Sequence, residues 1–480
     1  MRRFAHYDYW DDKVRPSILT ESDADLLVFG MGENQTKQIA KRLKSGEDIS
    51  TITDVKVTCY AVDVKDTPYM GVECPSFKNV ASNKKEYAVA CRIQNEENDG
   101  YRGKAVKQRH DSKMLVQNPP MPPLTTGELD SVYALPYKRY YHPVYEPMGG
   151  VPAIEEVAFS ITHNRGCFGD CNFCSLAFHQ GKAITCRSKE SIVTEAKTIS
   201  ESAGFKGYIH DIGGPTANFR HASCEQQKTK GLCKNKRCLT PEPCSNLTVD
   251  HKEFLDILRT VRVLPGIKKV FIRSGIRYDY ILADKDKTFF EELVGHHVSG
   301  QLKVAPEHCS AAVLGYMGKP SVDSYLEFKN MFFAQCKKVK KEQYLVPYFI
   351  SSHPGSTLKD AVELALFFKQ EKIRPEQVQD FYPTPGTIST CMFYTGLDPY
   401  TLENVYVASS AHEKAMQRAL LQYFNPKNRR LVVDALTRAG RTDLIGNGEK
   451  CLIRPESNYS RGNQSKTNRP KATKPDRRNK

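Results

Sequence analysis

The stretch EVAFSITHNRGCFGDCNFC, residues 156–174, decides the fold class because it joins a short apolar segment to a loop with three cysteines. Its first part, 156–162, predicts a β-strand. Cys167, Cys171 and Cys174 follow within eight residues. Common structural zinc sites and simple iron-sulfur sites take four protein ligands. Three cysteines therefore indicate a 4Fe-4S cluster with one iron left open for an exchangeable ligand. A closed site completed by a nearby histidine is the alternative.

Downstream of this stretch, segments with strand character alternate with segments of helical periodicity. Helices are predicted to begin after Ser188 and after Thr357, which has Asp360 three residues further on as a capping partner. Six strand-led units favour an α/β fold with a parallel sheet, either a partial (βα)6 barrel or an open doubly wound sheet. In both folds the ligands lie beyond the carboxyl ends of the strands. The strands are predicted at 156–162, 206–212, 268–275, 301–307, 344–352 and 377–384.

Changes in pattern along the chain predict its division into domains. Short apolar runs precede a proline-rich stretch, and the strand-helix alternation follows that stretch. The expected parts are an N-terminal α/β domain (1–116), a linker (117–150), the α/β core (151–397) with a cysteine-rich insert (220–248), a C-terminal helical extension (398–455) and a disordered basic tail (456–480).

Composition excludes some classes of protein and leaves others open. No apolar run approaches the ~20 residues that a membrane span needs, and the first residues lack the apolar block of a secretory signal. Fifteen cysteines suit a reducing compartment, so we expect a cytoplasmic protein. The formal net charge is +15, to which the tail contributes eight Lys/Arg against two acids. Such a balance permits RNA binding, although basic tails are usually only solvated.

A second group of cysteines lies in the insert, which has few apolar residues and cannot build a core of its own. Four thiolates complete a tetrahedral site, so the group predicts a closed site that holds either structural zinc or an auxiliary iron-sulfur cluster. Its members are Cys224, Cys233, Cys238 and Cys244.

The C-x3-C-x2-C spacing, with the aromatic Phe173 before the last cysteine and a strand before the first, resembles the radical SAM superfamily. The segments NRGCFGDCNFCSLAFHQG, HDIGGPTAN, RSGIRYD and KVAPEHCS are similar to those of its YgiQ family, over essentially 1–455. The resemblance implies that the open iron binds S-adenosylmethionine (SAM) and that reduction by a donor such as flavodoxin or ferredoxin yields a 5'-deoxyadenosyl radical. Family members usually have a longer amino-terminal region, so the chain is expected to lack the first strands of that domain.

The resemblance also assigns cofactor contacts to residues that follow the predicted strands. Gly213 and Gly214 would meet the amino group of SAM through their backbone, with Pro215 where the family usually has Glu. Ser274, Arg277 and Glu307 would contact its ribose and carboxylate. An Arg277 paired with a neighbouring acid, without any cofactor, is the alternative.

Glu307 and Cys309 follow the fourth predicted strand and are candidate catalytic residues. A carboxyl can transfer a proton, and a thiol can donate a hydrogen atom. An ordinary buried thiol is the alternative for Cys309. The sequence thus predicts a radical SAM enzyme of unknown substrate, with RNA modification suggested by analogy and by charge. The alternative from another class is a non-catalytic iron-sulfur or zinc protein that binds RNA.

Overall fold

The computed structural model describes residues 2–455 and shows a mixed α/β architecture. The disordered tail predicted at 456–480 lies outside the described residues. The strands are β1 (His6–Asp8), β2 (Lys13–Arg15), β3 (Leu27–Val28), β4 (Thr58–Asp63), β5 (Val72–Cys74), β6 (Val106–His110), β7 (Lys113–Gln117), β8 (Ser160–Thr162), β9 (Asn164–Arg165), β10 (Thr185–Cys186), β11 (Tyr208–Ile209), β12 (Asp211–Gly213), β13 (Lys269–Val270), β14 (Gln301–Glu307), β15 (Tyr344–Ser351) and β16 (Gln379–Asp380).

The α-helices are α1 (Glu33–Lys44), α2 (Phe77–Ser82), α3 (Lys84–Glu96), α4 (Thr126–Tyr133), α5 (Ala153–Val157), α6 (Ser175–Gln180), α7 (Lys189–Ser200), α8 (Glu225–Lys230), α9 (Lys252–Arg262), α10 (Tyr278–Ala283), α11 (Thr288–Glu292), α12 (Ala311–Met317), α13 (Val322–Lys338), α14 (Leu358–Gln370), α15 (Ile388–Thr395), α16 (Ala411–Leu421) and α17 (Arg429–Arg438). Among the described residues, no helix is both long enough and apolar enough to cross a membrane.

The N-terminal part forms a five-stranded sheet in the order β3-β4-β7-β6-β5. Its pairs are antiparallel except for β5 and β6, which run parallel. The apolar face of this sheet shares a core with α15, in which Val106, Leu115 and Met392 are fully buried. The N-terminal sheet is therefore packed directly on α15, which lies at the end of the predicted core.

Parallel strand pairing organises the core, as the alternation of strands and helices predicts. β12 pairs with β8, β13 pairs with β11, and β15 lies between β14 and β16, all in parallel. Backbone hydrogen bonds from His210 N to Phe159 O (2.8 Å) and from Ile212 N to Phe271 O (3.0 Å) place 208–213 between the first and third units. Among the described residues these ladders do not join into a closed barrel.

The first strand of this core is shorter than the sequence predicts. The sequence analysis extends it over 156–162, but α5 takes Ala153–Val157 and β8 begins at Ser160. Glu155 and Glu156 in the first turn of α5 are favoured there by the helix dipole. The apolar residues of this stretch are thus divided between a short helix and a short strand.

Helix boundaries with side-chain caps agree with the prediction. Ser188 accepts a hydrogen bond from Ser191 N at the start of α7. Thr357 and Asp360 form a reciprocal capping box at the start of α14. Each such cap satisfies backbone donors that would otherwise have no partner, and replacing one with alanine typically costs ~1 kcal/mol. These contacts are local, which is why their residues can be recognised in the sequence.

Helices that cover the ladders bury one face each. On α9, Phe254, Leu258 and Val261 are fully buried, at the i, i+4, i+7 spacing of a single helical face. Helices α16 and α17 of the C-terminal part bury their apolar side chains against α14. The segment 117–150, predicted as a linker, contains α4, which opens with a capping box between Thr125 and Glu128.

Candidate metal centre and cofactor site

The cysteine loop, residues 166–174, begins just beyond the carboxyl end of the first core strand, where the parallel topology places ligand sites. Gly166 has a φ of +81°, and a Cβ at this position would lie 2.9 Å from the carbonyl carbon of Ala183. Glycine is therefore required for the loop to turn here. Cys167 N then donates a hydrogen bond to Gly181 O (3.2 Å), which closes the loop against the chain that follows α6.

Asn172, in the middle of the loop, fixes it to three other parts of the chain. Its backbone N donates to Met317 O (2.9 Å), and its side-chain Nδ2 donates to Tyr316 O (2.7 Å), both at the end of α12. Its backbone O accepts from Ser389 N (2.9 Å), and its Oδ1 accepts from Arg237 Nη2 of the insert (2.5 Å). Every polar group of Asn172 thus has a partner, so the loop between the second and third cysteines is held in one conformation.

The insert packs against the loop as well as bonding to it. Phe168 stacks on Phe219 with ring centroids 3.8 Å apart, and Leu239 of the insert is buried in the same cluster. Cys167 and Cys238 lie at the edge of this cluster, one from each cysteine group. The two groups of cysteines are therefore neighbours across one apolar contact.

Burial favours the protonated form of two thiols of the loop, those of Cys167 and Cys174. Burial raises the pKa of Cys167 and, together with the neighbouring Cys171, raises the pKa of Cys174 to about 11. Arg277 supplies a compensating positive charge, with its Nη1 3.6 Å from the Cys171 sulfur. A bound metal centre that displaces these protons would be stabilised by the same guanidinium.

The residues of the loop fit a cluster better than a single ion. Within residues 2–455, no three His, Cys, Asp or Glu side chains converge in the way that a metal ion requires. A 4Fe-4S cubane has a different geometric requirement. Each cysteine binds a different iron, so the cysteine sulfurs lie further apart than around a single metal ion. Three thiols on one anchored loop, with Arg277 beside Cys171, have the donor chemistry of such a site, and their role as cluster ligands stays a prediction.

The glycine pair lies where the second parallel strand ends. Gly213 is the last residue of β12, and Gly214 follows it directly. A Cβ on Gly214 would overlap the side-chain carbonyl of Asn164 and lie 3.0 Å from its backbone O. Asn164 Oδ1 is buried and has no hydrogen-bond partner among the described residues. The backbone at Gly214 is thus pressed against the strand that leads into the cysteine loop.

Ser274 is held next to the glycine pair by a carboxylate that the sequence analysis did not select. Asp211 Oδ1 accepts from Arg273 N (2.7 Å) and Ser274 N (3.1 Å), and its Oδ2 accepts from the Ser274 hydroxyl. The structure places Ser274 beside Gly213, where a Cβ on the glycine would lie 2.7 Å from the Ser274 Cβ; the shared role of the two residues in binding SAM stays a prediction. The hydroxyl is already engaged by Asp211.

Arg277 pairs with Asp279, the alternative considered from the sequence. Its Nε and Nη2 make a two-point contact with the two carboxylate oxygens at 2.8 and 2.5 Å, and both residues are buried. Burial alone would raise the pKa of Asp279, but the Arg277 guanidinium more than offsets it, so this pKa lies below its ordinary value. Nη1 is the part of Arg277 that faces Cys171.

Glu307 is buried and strained at the end of β14. Its φ is +69°, in the left-handed region that L-residues adopt at a cost of about 1–3 kcal/mol, and the ladder to β15 shifts register just before it. Lys319 Nζ lies 3.9 Å from its Oε1, and that side chain is buried too. Burial raises the pKa of Glu307, against the opposing effect of Lys319 and Arg277. Strain of this kind persists where the surrounding structure imposes it, often at a functional site.

Cys309 points to a different environment from Glu307. It packs against an apolar cluster that contains Phe349, Leu364 and Phe368. Burial raises its pKa to about 12, so it is a neutral thiol at physiological pH. These surroundings match the alternative of an ordinary buried thiol, and a catalytic role for Cys309 stays a prediction.

The four cysteines of the insert lie within one short fold around α8 and the turn after it. Cys244 N donates to Cys238 O (2.9 Å), and Cys238 Sγ contacts Ser223 Oγ at 3.2 Å. Burial raises the pKa of Cys238, and the charges of the other three cysteines add to this effect. The four sulfurs do not converge on one point, since no three metal-ligating side chains come together within residues 2–455. The closed zinc or cluster site proposed from their sequence stays a prediction.

Several residues that shape the site were missed in the sequence analysis. Asn172 and Asp211 lie inside recognised segments, but nothing in those segments distinguishes them from other polar loop residues. Arg237 and Lys319 act at positions remote in sequence from the cysteine loop and Glu307. Only Asp211 could have been found from its position in the sequence, since it comes just before the glycine pair on the same predicted strand.

Comparison with protein families identifies two segments of the chain. Residues 1–160 match the family model described as radical SAM N-terminal. Residues 376–480 match a family described as a domain of unknown function, DUF3362.

Relatives of this chain occur in clostridia. A UPF0313 protein of Clostridium perfringens is 58% identical over 464 residues, which are 96% of this chain and 70% of that protein. A UPF0313 protein of Clostridium botulinum is 55% identical over 457 residues, 94% of this chain and 70% of that protein. The identity extends through the N-terminal domain, the core and the C-terminal helices.

Solved structures give more distant matches. The radical SAM methyltransferase TsrM from Kitasatospora setae, with cobalamin and a [4Fe-4S] cluster bound, aligns with a TM-score of 0.41 at 13% identity, over 76% of this chain and 53% of that one. The cobalamin-dependent SAM radical enzyme OxsB aligns with a TM-score of 0.42 at 12% identity, over 73% and 37%.

Proposed function

The chain belongs to the UPF0313 family and carries a radical SAM N-terminal domain, and from that premise we propose that it is a radical SAM enzyme. Cys167, Cys171 and Cys174 hold a 4Fe-4S cluster whose open iron binds SAM. When bound and reduced by one electron, this group supplies the cleavage of SAM to methionine and a 5'-deoxyadenosyl radical. The observation that carries the proposal is the anchored loop, which presents three thiols and one facing guanidinium beyond the end of a parallel strand.

The chain's own residues then hold the cofactor in place. Backbone carbonyls at Gly213 and Gly214 accept hydrogen bonds from the amino group of SAM. Ser274 and Glu307 contact its ribose hydroxyls. Asp279 already occupies Nε and Nη2 of Arg277. We therefore assign Arg277 to stabilising the negative charge of the cluster rather than to binding the carboxylate of SAM.

Parallel pairing of the core strands supports a finer account of the fold. We propose that the six strand-led units of 151–397 form the partial (βα)6 barrel expected of a radical SAM core. Three parallel ladders, of which the first two are linked by backbone hydrogen bonds from His210 and Ile212, support this arrangement.

We further propose that the electron for the cluster would come from a small electron-transfer protein of the cytoplasm, such as flavodoxin or ferredoxin.

The insert has a proposed structural role beside the cluster. Its four cysteines hold zinc or an auxiliary cluster, which fixes the short segment that carries Arg237. The hydrogen bond from Arg237 to Asn172 and the packing of Leu239 on Phe168 support this role. Metal and sulfide content per chain separates zinc from a second cluster.

Anaerobic reconstitution followed by dithionite and SAM tests the activity. We expect the wild-type chain to form 5'-deoxyadenosine and to show a change in the electron paramagnetic resonance spectrum of its reduced cluster when SAM is added. The C167A/C171A/C174A variant should lose both. As a matched control, C336A removes a buried cysteine of α13 and should retain both.

A wild-type protein with a full cluster that forms no 5'-deoxyadenosine, and whose spectrum SAM leaves unchanged, would contradict the proposal. Retention of RNA by that same inactive protein would instead support the non-catalytic alternative. RNA modification as the reaction is tested by adding RNA to the active enzyme and looking for modified nucleosides.

A further inference from the structure

A hydroxyl from outside the cysteine loop contacts the first cysteine of that loop. Thr216 Oγ1 lies 3.3 Å from Cys167 Sγ, and Thr216 is 5% exposed. While Cys167 is a thiol, either atom of this pair can carry the shared proton. Once Cys167 binds iron it is a thiolate, which has no proton, so only the hydroxyl can donate. The contact is then a hydrogen bond from Thr216 to the sulfur.

The backbone around this hydroxyl is held by three neighbouring parts of the chain. Thr216 O accepts from Asn164 Nδ2 (3.4 Å). The next residue, Ala217, donates from its N to Gly275 O (3.0 Å) and accepts at its O from His163 Nε2 (2.8 Å). Ala217 and His163 are fully buried. The hydroxyl is therefore placed against the sulfur before any cluster is bound.

Asn218, which follows Ala217, extends the arrangement to a second sulfur. Its Oδ1 accepts from Arg277 N (2.8 Å), its Nδ2 donates to Arg277 O (3.1 Å), and the side chain is fully buried. This two-point contact fixes the backbone of Arg277, whose Nη1 lies 3.6 Å from Cys171 Sγ. The segment 216–218 thus supplies a neutral donor at Cys167 and positions a charged donor at Cys171.

Hydrogen-bond donors beside the sulfur ligands favour the reduced form of an iron-sulfur cluster. Reduction adds one electron, so the cluster and its thiolates carry more negative charge in the reduced form. A donor stabilises the more negative form more strongly, and hydrogen bonds to the sulfurs are among the factors that set the reduction potential of a cluster. In a buried site the effect is larger than in water, because the local dielectric is lower.

We propose that Thr216 tunes the cluster: its hydroxyl donates a hydrogen bond to the Cys167 thiolate and makes the cluster easier to reduce. This inference rests on the proposed function, because it takes Cys167 as a cluster ligand. It goes further by assigning to a residue outside the cysteine loop control over how readily the cluster accepts its electron.

Redox titration of the reconstituted protein without SAM, followed by electron paramagnetic resonance of the reduced cluster, tests this role. T216V replaces the hydroxyl by a methyl of similar size, whereas T216S keeps the hydroxyl. At a fixed ambient potential, the ratio of reduced to oxidised cluster should be at least threefold lower in T216V than in the wild type. For one electron this corresponds to a midpoint potential about 28 mV or more lower, at about 59 mV per tenfold change.

Three further variants separate the hydroxyl from other effects of the substitution. T216S should stay closer to the wild type than to T216V. T216A, which places no new methyl against the sulfur, should show the same fall as T216V. As a matched control, T198V removes an exposed hydroxyl of α7 and should titrate like the wild type.

An unchanged midpoint potential in T216V and T216A, each with a full complement of iron and sulfide, would overturn the proposal. A midpoint of T216S as low as that of T216V would also overturn it, since the hydroxyl would then not be responsible. Failure of the proposed function has a different signature, in which a wild-type cluster titrates normally but forms no 5'-deoxyadenosine from SAM.

Discussion

Replacing Gly214 by alanine tests the close packing on which the proposed SAM site depends. The added methyl would overlap the side-chain carbonyl of Asn164, with 2.8 Å to its Cγ and 3.0 Å to its backbone O. Overpacking of this kind typically costs about 1–3 kcal/mol. If the backbone at 213–214 yields to the clash, G214A should bind SAM about 5- to 150-fold more weakly.

A double-mutant cycle separates the clash from other effects of the change. N164A removes the colliding group and loses a single long hydrogen bond, from Nδ2 to Thr216 O at 3.4 Å. The N164A/G214A protein should therefore recover much of the lost affinity, but not all of it, because the approach to the backbone O of residue 164 persists.

Titration calorimetry with SAM on the reconstituted proteins measures this cycle, and chemical denaturation of the metal-free proteins measures its effect on stability. If the double variant were no better than G214A in either assay, the steric account of this glycine would be wrong. The denaturation measurements test the steric clash whether or not SAM is the ligand, because they are made on the metal-free proteins.

Three further changes have defined outcomes. D279N leaves the Arg277 guanidinium buried without its counter-charge and should lower the free energy of unfolding by about 3–5 kcal/mol in chemical denaturation; a loss below about 1 kcal/mol would contradict the pairing. R237A should release iron to a chelator several-fold faster than wild type, whereas K234A, an exposed position of the same insert, should not. Because burial raises the pKa of Glu307 in the folded state, the free energy of unfolding of wild type minus that of E307Q should fall as pH rises from 4 to 7. A rise of this difference over the same range would refute the assignment.

Features that depend on neighbouring residues could be predicted from the sequence. The caps at Ser188 and Thr357 and the order of strands and helices in the core follow from local patterns, and the structure confirms them. The three cysteines within eight residues predict a metal loop, and this remains a prediction. Topology then placed that loop at the carboxyl end of a strand.

Features that depend on distant contacts could not be predicted. The acid that would pair with Arg277 could not be chosen from the sequence, and only the three-dimensional structure shows that Asp279 binds its Nε and Nη2. The role of Arg237 depends on a partner 65 residues away.

The hydrogen bonds of Asn172 determine when, during synthesis of the chain, the cysteine loop can be completely anchored. Ser389, which holds the backbone carbonyl of Asn172, is synthesised roughly 215 residues after Cys174. At about 5–20 residues per second, the ribosome needs about 10–40 s to produce it. Until Ser389 has been made the loop lacks this hydrogen bond, so the cysteine loop is completely anchored only after most of the chain has been synthesised.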